Sequence, residues 1–289
     1  MTDDDPLAAF EAHRARLFGV AYRMLGSAAD ADDVLQDARL RWLACDRTAV
    51  RDVRGFLVTM VTRQALDVLG SARARREQYV GPWLPEPIAT APAAHAHDLS
   101  LALLRLLERL SPAERAAFLL AEVFDYSHAE VAAILDKTED ACRQLAARAR
   151  KAVRDGRPRP VDASAHATAL SAFLTACASG DVAGLERLLA ADAAVISDGG
   201  GRVRAALNIV TGANAVARML VGLTRKSAAG LVPRLAAING ELALVLDGPA
   251  GIDSVLTLEL DPAATTITAV CIVRNPDKLG AVATPRPVA

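Results

Sequence analysis

Two proline-rich stretches divide this 289-residue chain into three parts, and the spacing of apolar residues differs between the parts. The first stretch, residues 77–97, contains four prolines, and the second, residues 156–163, contains two. Because proline ends helices and is excluded from central strands, neither stretch continues the elements beside it. We therefore predict two linkers between three domains. The domains are residues 1–76, 98–155 and 164–289.

The first part is predicted to be helical throughout. Apolar residues recur at helical spacing over about 7–25, 28–45 and 53–76. Gly26 is expected to end the first helix, and Ser27 to cap the second.

The second part contains the pattern of a helix-turn-helix. Ser111 and Ser127 are each followed three residues later by Glu, which is the signature of a capping box. The second box opens a short helix through Leu135, and after a brief turn Thr138 caps a longer, basic helix. Two helices joined by a tight turn are typical of a helix-turn-helix, although an ordinary helical hairpin has the same pattern.

The third part changes from helices to strands. Helices are predicted over 164–179, 182–191 and 213–223. Asn239-Gly240 is a strong hairpin signal between two apolar runs. Further runs rich in Val, Ile, Leu and Thr predict strands, so we expect a separate α+β domain. These strands are residues 242–246, 255–260 and 267–273.

A formal net charge of −1 hides alternating blocks of charge. Residues 1–38 contain 3 basic and 8 acidic groups, whereas 39–76 contain 9 and 3. Residues 77–140 contain 4 basic and 11 acidic groups, whereas 141–157 contain 6 and 1. Solvated helix faces would explain one basic block. Two such blocks, each on a predicted helix, favour a polyanion that is gripped at two points.

Other features argue against a membrane or secreted protein. The chain has no run of about 18 apolar residues, and its acidic start is the opposite of a signal peptide. Its four cysteines are far apart and form no CxxC pair, so we expect reduced thiols in a cytoplasmic protein and no metal site.

Motifs in the two helical parts resemble the extracytoplasmic-function (ECF) sigma factors of bacterial RNA polymerase. They are LFGVAYRMLG at 17–26, DADDVLQD at 30–37, LSPAER at 110–115 and the helix-turn-helix through Arg150.

Three further motifs are similar to those of one ECF subgroup, which carries a fused C-terminal SnoaL-like domain of the nuclear-transport-factor-two superfamily. They are YVGPWLPEP at 79–87, DGGG at 198–201 and NPDKL at 275–279. The resemblance covers almost the whole chain. It implies a multidomain fold with two all-α sigma modules, the second containing the helix-turn-helix, followed by an α+β SnoaL-like domain.

The resemblance also implies partners and site residues. Core RNA polymerase is the expected protein partner, bound at its β′ clamp and β flap, and promoter DNA is the expected nucleic acid. An acidic face of the second helix would dock on the β′ clamp, where it suits a basic surface. The docking residues are Asp32, Asp33, Gln36 and Asp37.

The two basic blocks correspond to promoter contacts in this resemblance. The third helix and the loop before it would open and read the minus-ten element, with arginines contacting phosphates and stacking on splayed bases. These arginines are Arg47, Arg51, Arg54, Arg63, Arg73, Arg75 and Arg76.

The basic helix after Thr138 corresponds to the recognition helix, which would read the minus-35 major groove, where Arg can bind guanine and Gln adenine. Its contact residues are Thr138, Arg143, Gln144, Arg148, Arg150 and Lys151.

The resemblance further implies that the C-terminal domain regulates rather than catalyses, by contacting the sigma modules and the linker. It contains one histidine, His166, and scattered candidate acids at Asp198, Asp247, Asp253 and Glu259. No cofactor is expected. The regulatory contact is expected to involve Trp83, Leu84, Pro85, Asp198, Gly199, Gly200, Gly201, Asn275, Pro276, Asp277, Lys278 and Leu279.

Two other classes of function remain open at this point. One is a helix-turn-helix regulator that senses a small molecule in its C-terminal cavity and binds operators without polymerase. The other is a cyclase-like enzyme with a DNA-binding appendage.

Overall fold

The computed structural model describes residues 5–90, 99–156, 162–227, 230–261 and 263–288, without the side chains of 71–77, 156 and 227. The chain forms two compact units. The first contains Met1–Glu77, Leu103–Gly156 and Pro287–Ala289, and the second contains Gln78–Ala102 and Arg157–Arg286. Most of the predicted second linker, 157–161, lies outside the described residues.

The first unit begins with helices α1 (Pro6–Leu25), α2 (Ala28–Ala44) and α3 (Val53–Glu77). Gly26 ends α1 in the left-handed conformation, with φ of 67°. The Ser27 hydroxyl accepts a hydrogen bond from the backbone N–H of Asp30 and thereby caps α2. The three helices pack around a core that includes Phe10, Leu17, Trp42, Leu57 and Val61.

The remaining helices of this unit form the helix-turn-helix region. Both predicted capping boxes, at Ser111 and Ser127, are present and are confirmed. Asp136 adopts the left-handed conformation, with φ of 52°, at the turn between the two helices of the motif. The elements are α4 (Leu101–Leu107), α5 (Pro112–Phe118), a π-helical turn (Leu119–Val123), α6 (His128–Leu135) and α7 (Glu139–Gly156).

A buried arginine joins the two helical regions of the first unit. Arg115 is 3% exposed and donates to the carbonyl oxygen of Met24 at 2.5 Å and to Glu108 at 2.9 Å. Burial lowers the pKa of the Arg115 guanidinium to about 10, so it remains charged at neutral pH.

The second unit is built on a six-stranded sheet in the order β2-β1-β6-β5-β4-β3. Strands β1 and β6 pair in parallel, and the other neighbours are antiparallel. The strands are β1 (Leu189–Asp198), β2 (Val210–Thr211), β3 (Val232–Ile238), β4 (Glu241–Gly248), β5 (Gly251–Leu260) and β6 (Ile267–Val273).

The two faces of the sheet are covered differently. Helices α8 (Ala163–Ser179), α9 (Val182–Leu188) and α10 (Ala213–Ser227) pack on one face. On the other face, Leu84 and Ala89 pack with strand residues and with Leu279 and Val282 from two short 3₁₀ turns. The segment 84–90 thus belongs to the core of the α+β domain.

One predicted helix boundary is wrong. The sequence predicts a helix over 182–191, but α9 ends at Leu188 and β1 begins at Leu189. This stretch is rich in alanine, a strong helix former. Pairing of β1 with both β2 and β6 overrides that local preference.

The predicted hairpin is confirmed. Asn239 and Gly240 have φ of 52° and 81° and join β3 to β4 in register. Positive φ at both central residues is the signature of a type I′ turn. Among the residues that the structure describes, no helix combines the length and apolarity needed to cross a membrane.

Candidate functional site

An exposed face of α2 carries the predicted docking residues. Asp33, Gln36 and Asp37 are exposed, and Asp32 is half-buried, 4.0 Å from Arg14. They lie opposite the buried side of α2, because positions three and four apart share a helix face.

Two leucines that the sequence analysis did not select extend this surface. Leu40 is 57% exposed and Leu43 is 38% exposed. Leu40 lies three residues after Asp37, so it continues the exposed face of α2 toward the helix end. We call the residues Asp33, Gln36, Asp37, Leu40 and Leu43 the α2 surface. Its acidic and apolar composition is suited to a protein partner, and the spacing of the leucines is the signal that would have identified it.

The arginines before and within α3 fall into different environments. Arg47 donates to the carbonyl oxygens of Trp42, Leu43 and Cys45 and lies over the Trp42 ring, so it caps the end of α2. Arg51 and Arg54 are exposed.

Farther along α3, Arg63 donates to the carbonyl oxygens of Ile134 and Ala133, at 2.9 and 3.1 Å. These carbonyls lie at the negative end of α6. The side chains of Arg73, Arg75 and Arg76 lie outside the described residues.

Helix α7 presents one apolar and one basic face. Cys142, Leu145, Ala146, Ala149 and Val153 are buried. The predicted contact residues are all on the exposed side. These are Thr138, Arg143, Gln144, Arg148, Arg150 and Lys151.

Carboxylates of the same unit pair with three of these arginines. Arg143 binds Glu139 at 2.6 Å and Asp140 at 3.0 Å. Arg148 binds Glu114 at 2.9 Å, and this hydrogen bond lowers the pKa of the Glu114 carboxyl. Arg150 binds Glu122. Exposed ion pairs contribute at most about 1 kcal/mol, so a phosphate or base can replace these carboxylates at low cost.

A polar cluster of the second unit surrounds Asp198, which is fully buried. Its carboxylate accepts hydrogen bonds from the Tyr79 hydroxyl at 2.5 Å, the Leu84 backbone N–H at 2.9 Å and Lys278 Nζ at 2.7 Å. Asn275 Nδ2 donates to the Tyr79 hydroxyl at 2.8 Å. We call these five residues the Asp198 cluster.

The Asp198 cluster brings together the three motifs of the predicted regulatory contact. Lys278 Nζ also donates to the Leu84 carbonyl at 2.6 Å and lies 4.2 Å from the centre of the Trp83 ring. Burial, followed by the hydrogen bond to Asp198, raises the pKa of the Tyr79 hydroxyl above its usual value. Tyr79 therefore stays neutral and donates.

The glycines after Asp198 make room for this cluster. Gly200 has φ of 58°, and a Cβ there would lie 2.6 Å from Asn275 Cγ and 2.9 Å from the Tyr79 hydroxyl. At Gly199 a Cβ would lie 2.6 Å from the carbonyl oxygen of Val203. Gly201 has φ of 70° and faces Val80. A side chain at Gly200 or Gly201 would therefore displace the linker, whereas one at Gly199 would collide with the same loop at Val203.

The rest of the predicted contact set lies beside the cluster. Leu84 and Pro85 are buried, and Leu279 packs in the same core as Leu84. Pro276 opens the 3₁₀ turn, while Asp277 is exposed and binds Arg202 at 3.1 Å.

The hairpin turn provides a second attachment that the sequence analysis missed. The Ile88 N–H donates to Asn239 Oδ1 at 3.1 Å, and the Asn239 N–H donates to the Ile88 carbonyl at 2.9 Å. Thr90 Oγ1 accepts from the Gly240 N–H at 2.8 Å. The left-handed Asn-Gly turn is visible in the sequence, but nothing in it indicates that the turn binds the linker.

The candidate acids of the α+β domain each have a different hydrogen-bond partner. Asp198 belongs to the cluster, and Asp247 and Asp253 each accept hydrogen bonds from an arginine, at 2.7 and 2.9 Å. Glu259 accepts from the Cys271 thiol at 3.5 Å. His166 is buried, with Nε2 3.4 Å from the Leu258 carbonyl oxygen. Each group has its own structural partner.

Comparisons with known proteins match both halves of the first unit. A family model described as Sigma-70 region 2 matches residues 9–76, and one described as Sigma-70, region 4 matches residues 100–153. The ECF RNA polymerase sigma factor SigJ of Mycobacterium tuberculosis is 40% identical over 292 residues, covering 93% of this chain and 91% of SigJ. This chain belongs to the ECF sigma factors.

Other relatives agree with this assignment. A probable ECF RNA polymerase sigma factor, SigI of M. tuberculosis, is 36% identical over 63% of this chain and 66% of its own length. The crystal structure of SigJ matches with a TM-score of 0.77 and 35% identity, covering 95% of this chain and 98% of that one.

The family resemblance and the fold class inferred from the sequence are therefore confirmed. Helices α1–α3 carry sigma region 2, and the helix-turn-helix lies in sigma region 4. The α+β domain is shared with the SigJ structure, as expected for the SnoaL-like subgroup. A promoter-recognising sigma factor is confirmed as the class of function, and a stand-alone helix-turn-helix regulator is not favoured.

Proposed function

We propose that this sigma factor binds core RNA polymerase through the α2 surface at the β′ clamp and through region 4 at the β flap. Sigma factors act by binding core polymerase and promoter DNA. The exposed carboxylates and leucines of the α2 surface support this assignment, because a mixed acidic and apolar face suits a basic protein groove. The protein would act in the cytoplasm, with its polymerase.

For promoter DNA, α7 reads the minus-35 element and the loop 47–54 with α3 reads the minus-ten element. The exposed Gln144 and Arg143 suit base edges, while Lys151 suits a phosphate. Arg51, Arg54 and Arg63 are exposed, and Arg63 is held by the carbonyl oxygens at the end of α6. Arg47 contributes by holding the end of α2.

The α+β domain regulates initiation by holding the linker, and we assign it no catalytic step. The observation that carries this proposal is the fully buried Asp198, which binds the linker at Tyr79 and Leu84 and binds Lys278 from the last motif. Removing a partner from a buried charge is strongly destabilising, so the Asp198 carboxylate favours the arrangement in which all three donors are in place. The conformation of the linker therefore depends on its contact with the folded α+β domain.

Transcription with purified core polymerase tests the proposal. Trp83→Ala removes the ring that covers Lys278, and Leu84→Ala removes a fully buried linker side chain. We expect both variants to change the amount of transcript from promoters recovered by genomic selection. Val232→Ala, at a 64% exposed position on β3, is the matched control and should leave transcript levels unchanged. Equal output from all four proteins would refute regulation through the linker, while absence of initiation by the wild type would refute the promoter assignment.

A further inference from the structure

A cavity of about 410 Å³ lies between the helices and the sheet of the α+β domain. Its wall is formed mainly by apolar side chains from α8, α10 and the strands, including Phe173, Leu220, Leu244, Leu256 and Ile272. An apolar cavity of about 150 Å³ in a protein core stays dry and holds benzene. This cavity is more than twice as large and lies in the range of small-molecule sites.

Three polar residues of the wall lie together and form its polar end. Ser254 and Asp253 are consecutive in β5, and Arg274 Nη2 donates to Asp253 Oδ1 at 2.9 Å. Thr224 of α10 also lines the cavity, and its hydroxyl donates to the Leu220 carbonyl oxygen at 3.0 Å. Arg274 Nη1 is held by the carbonyl oxygen of Arg204 at 2.7 Å. The carboxylate thus neutralises the guanidinium, and the polar end has hydrogen-bonding groups without net charge.

The remaining ionisable group of the wall is also neutral. Cys177 lines the cavity, and burial raises the pKa of its thiol to about 12. It is a neutral thiol at physiological pH, so the wall carries no thiolate for covalent chemistry.

We propose that this cavity binds a neutral, mostly apolar small molecule of two or three rings' size, with one hydroxyl or carbonyl group at the Ser254 end. Burial of the rings against the apolar wall supplies the affinity. An anionic head group would approach Asp253 and would have to displace it from Arg274, so the cavity discriminates against carboxylates. This site is separate from the proposed linker contact and does not depend on polymerase.

The experiment measures binding of 1-naphthol and of 1-naphthoate to the full-length protein by calorimetry. We expect saturable 1:1 binding of 1-naphthol and at least tenfold weaker binding of 1-naphthoate. Asp253→Asn leaves the Arg274 guanidinium without its counter-charge. This variant should therefore reduce the preference for 1-naphthol over 1-naphthoate. Ser254→Ala should weaken 1-naphthol about fivefold, which is the ratio that one neutral hydrogen bond supports.

A matched pair of variants on α8 places the probe in the cavity. Ala178 lines the cavity at the helix surface, whereas Ala172 is exposed on the same helix and does not line it. Ala178→Phe should reduce 1-naphthol binding at least tenfold, and Ala172→Phe should leave it unchanged. Circular dichroism confirms that each variant is folded. No saturable binding to the folded wild type, equal binding by both phenylalanine variants, or equal affinity for the two probes would overturn the proposal.

Discussion

Replacing Gly200 by alanine should release the linker from the α+β domain without changing any charge. The left-handed backbone costs a side-chain residue about 1–2 kcal/mol. The new Cβ would also lie 2.6 Å from Cγ of Asn275, which is 4% exposed and has little room to move. Its displacement breaks the 2.8 Å bond to the Tyr79 hydroxyl, which is worth about 1 kcal/mol. The expected loss in the free energy of docking is about 2–3 kcal/mol.

Hydrogen exchange of the linker amides measures this loss directly. The N–H groups of Leu84, Ile88 and Thr90 all donate to groups of the α+β domain, so they exchange when the linker opens. A loss of 2–3 kcal/mol corresponds to exchange that is about 30- to 150-fold faster. Gly212→Ala is the matched control, because Gly212 has φ of 95° and an added Cβ would have nothing within 4 Å. If both variants accelerate exchange equally, steric displacement of Asn275 is not what holds the linker.

Three further predictions concern other parts of the molecule. Leu40→Ser should weaken binding to core polymerase about tenfold in a competition assay. Leu235→Ser, at a similarly exposed position, should leave this affinity unchanged. Equal affinities of the two variants would exclude the α2 surface as the polymerase-binding surface. Arg143→Ala should weaken holoenzyme binding to its minus-35 element by about 1–3 kcal/mol and relax the base preference at one position. Lys151→Ala should weaken holoenzyme binding to all sequences alike. The reverse pattern would mean that Lys151 reads a base and Arg143 binds a phosphate. The pKa of Tyr79 is raised above its ordinary value of 10, so its contribution to docking is fully present below pH 10 and is lost as the pH rises above it. Tyr79→Phe should therefore remove the alkaline loss of protection of the linker amides, measured relative to their exchange in the unfolded chain. An unchanged loss of protection would place the titrating group elsewhere.

Features with local causes could be predicted from the sequence. The capping boxes at Ser111 and Ser127 and the Asn239-Gly240 turn depend on neighbouring residues only, and all three are present. The basic face of α7 likewise follows from helical spacing.

Features with distant causes could not. Strand β1 contains Ala190, Ala191 and Ala193, and its pairing with β2 and β6 makes it a strand. The motifs of the Asp198 cluster were visible in the sequence, but not which donors meet which acceptor. Tyr79 is 119 residues from Asp198 and 196 residues from Asn275 in the sequence. At such separations the spacing of residues along the chain does not indicate which of them are in contact.

The connection between Leu84 and Lys278 also imposes an order in time. Lys278 follows Leu84 by 194 residues, so at about 5–20 residues per second it leaves the ribosome roughly 10–40 s later. Throughout that interval region 2 is already synthesised, while the linker lacks the ammonium and the 3₁₀ turns that hold it. Every newly made molecule therefore passes through a stage in which its promoter-binding helices exist before the restraint on its linker does.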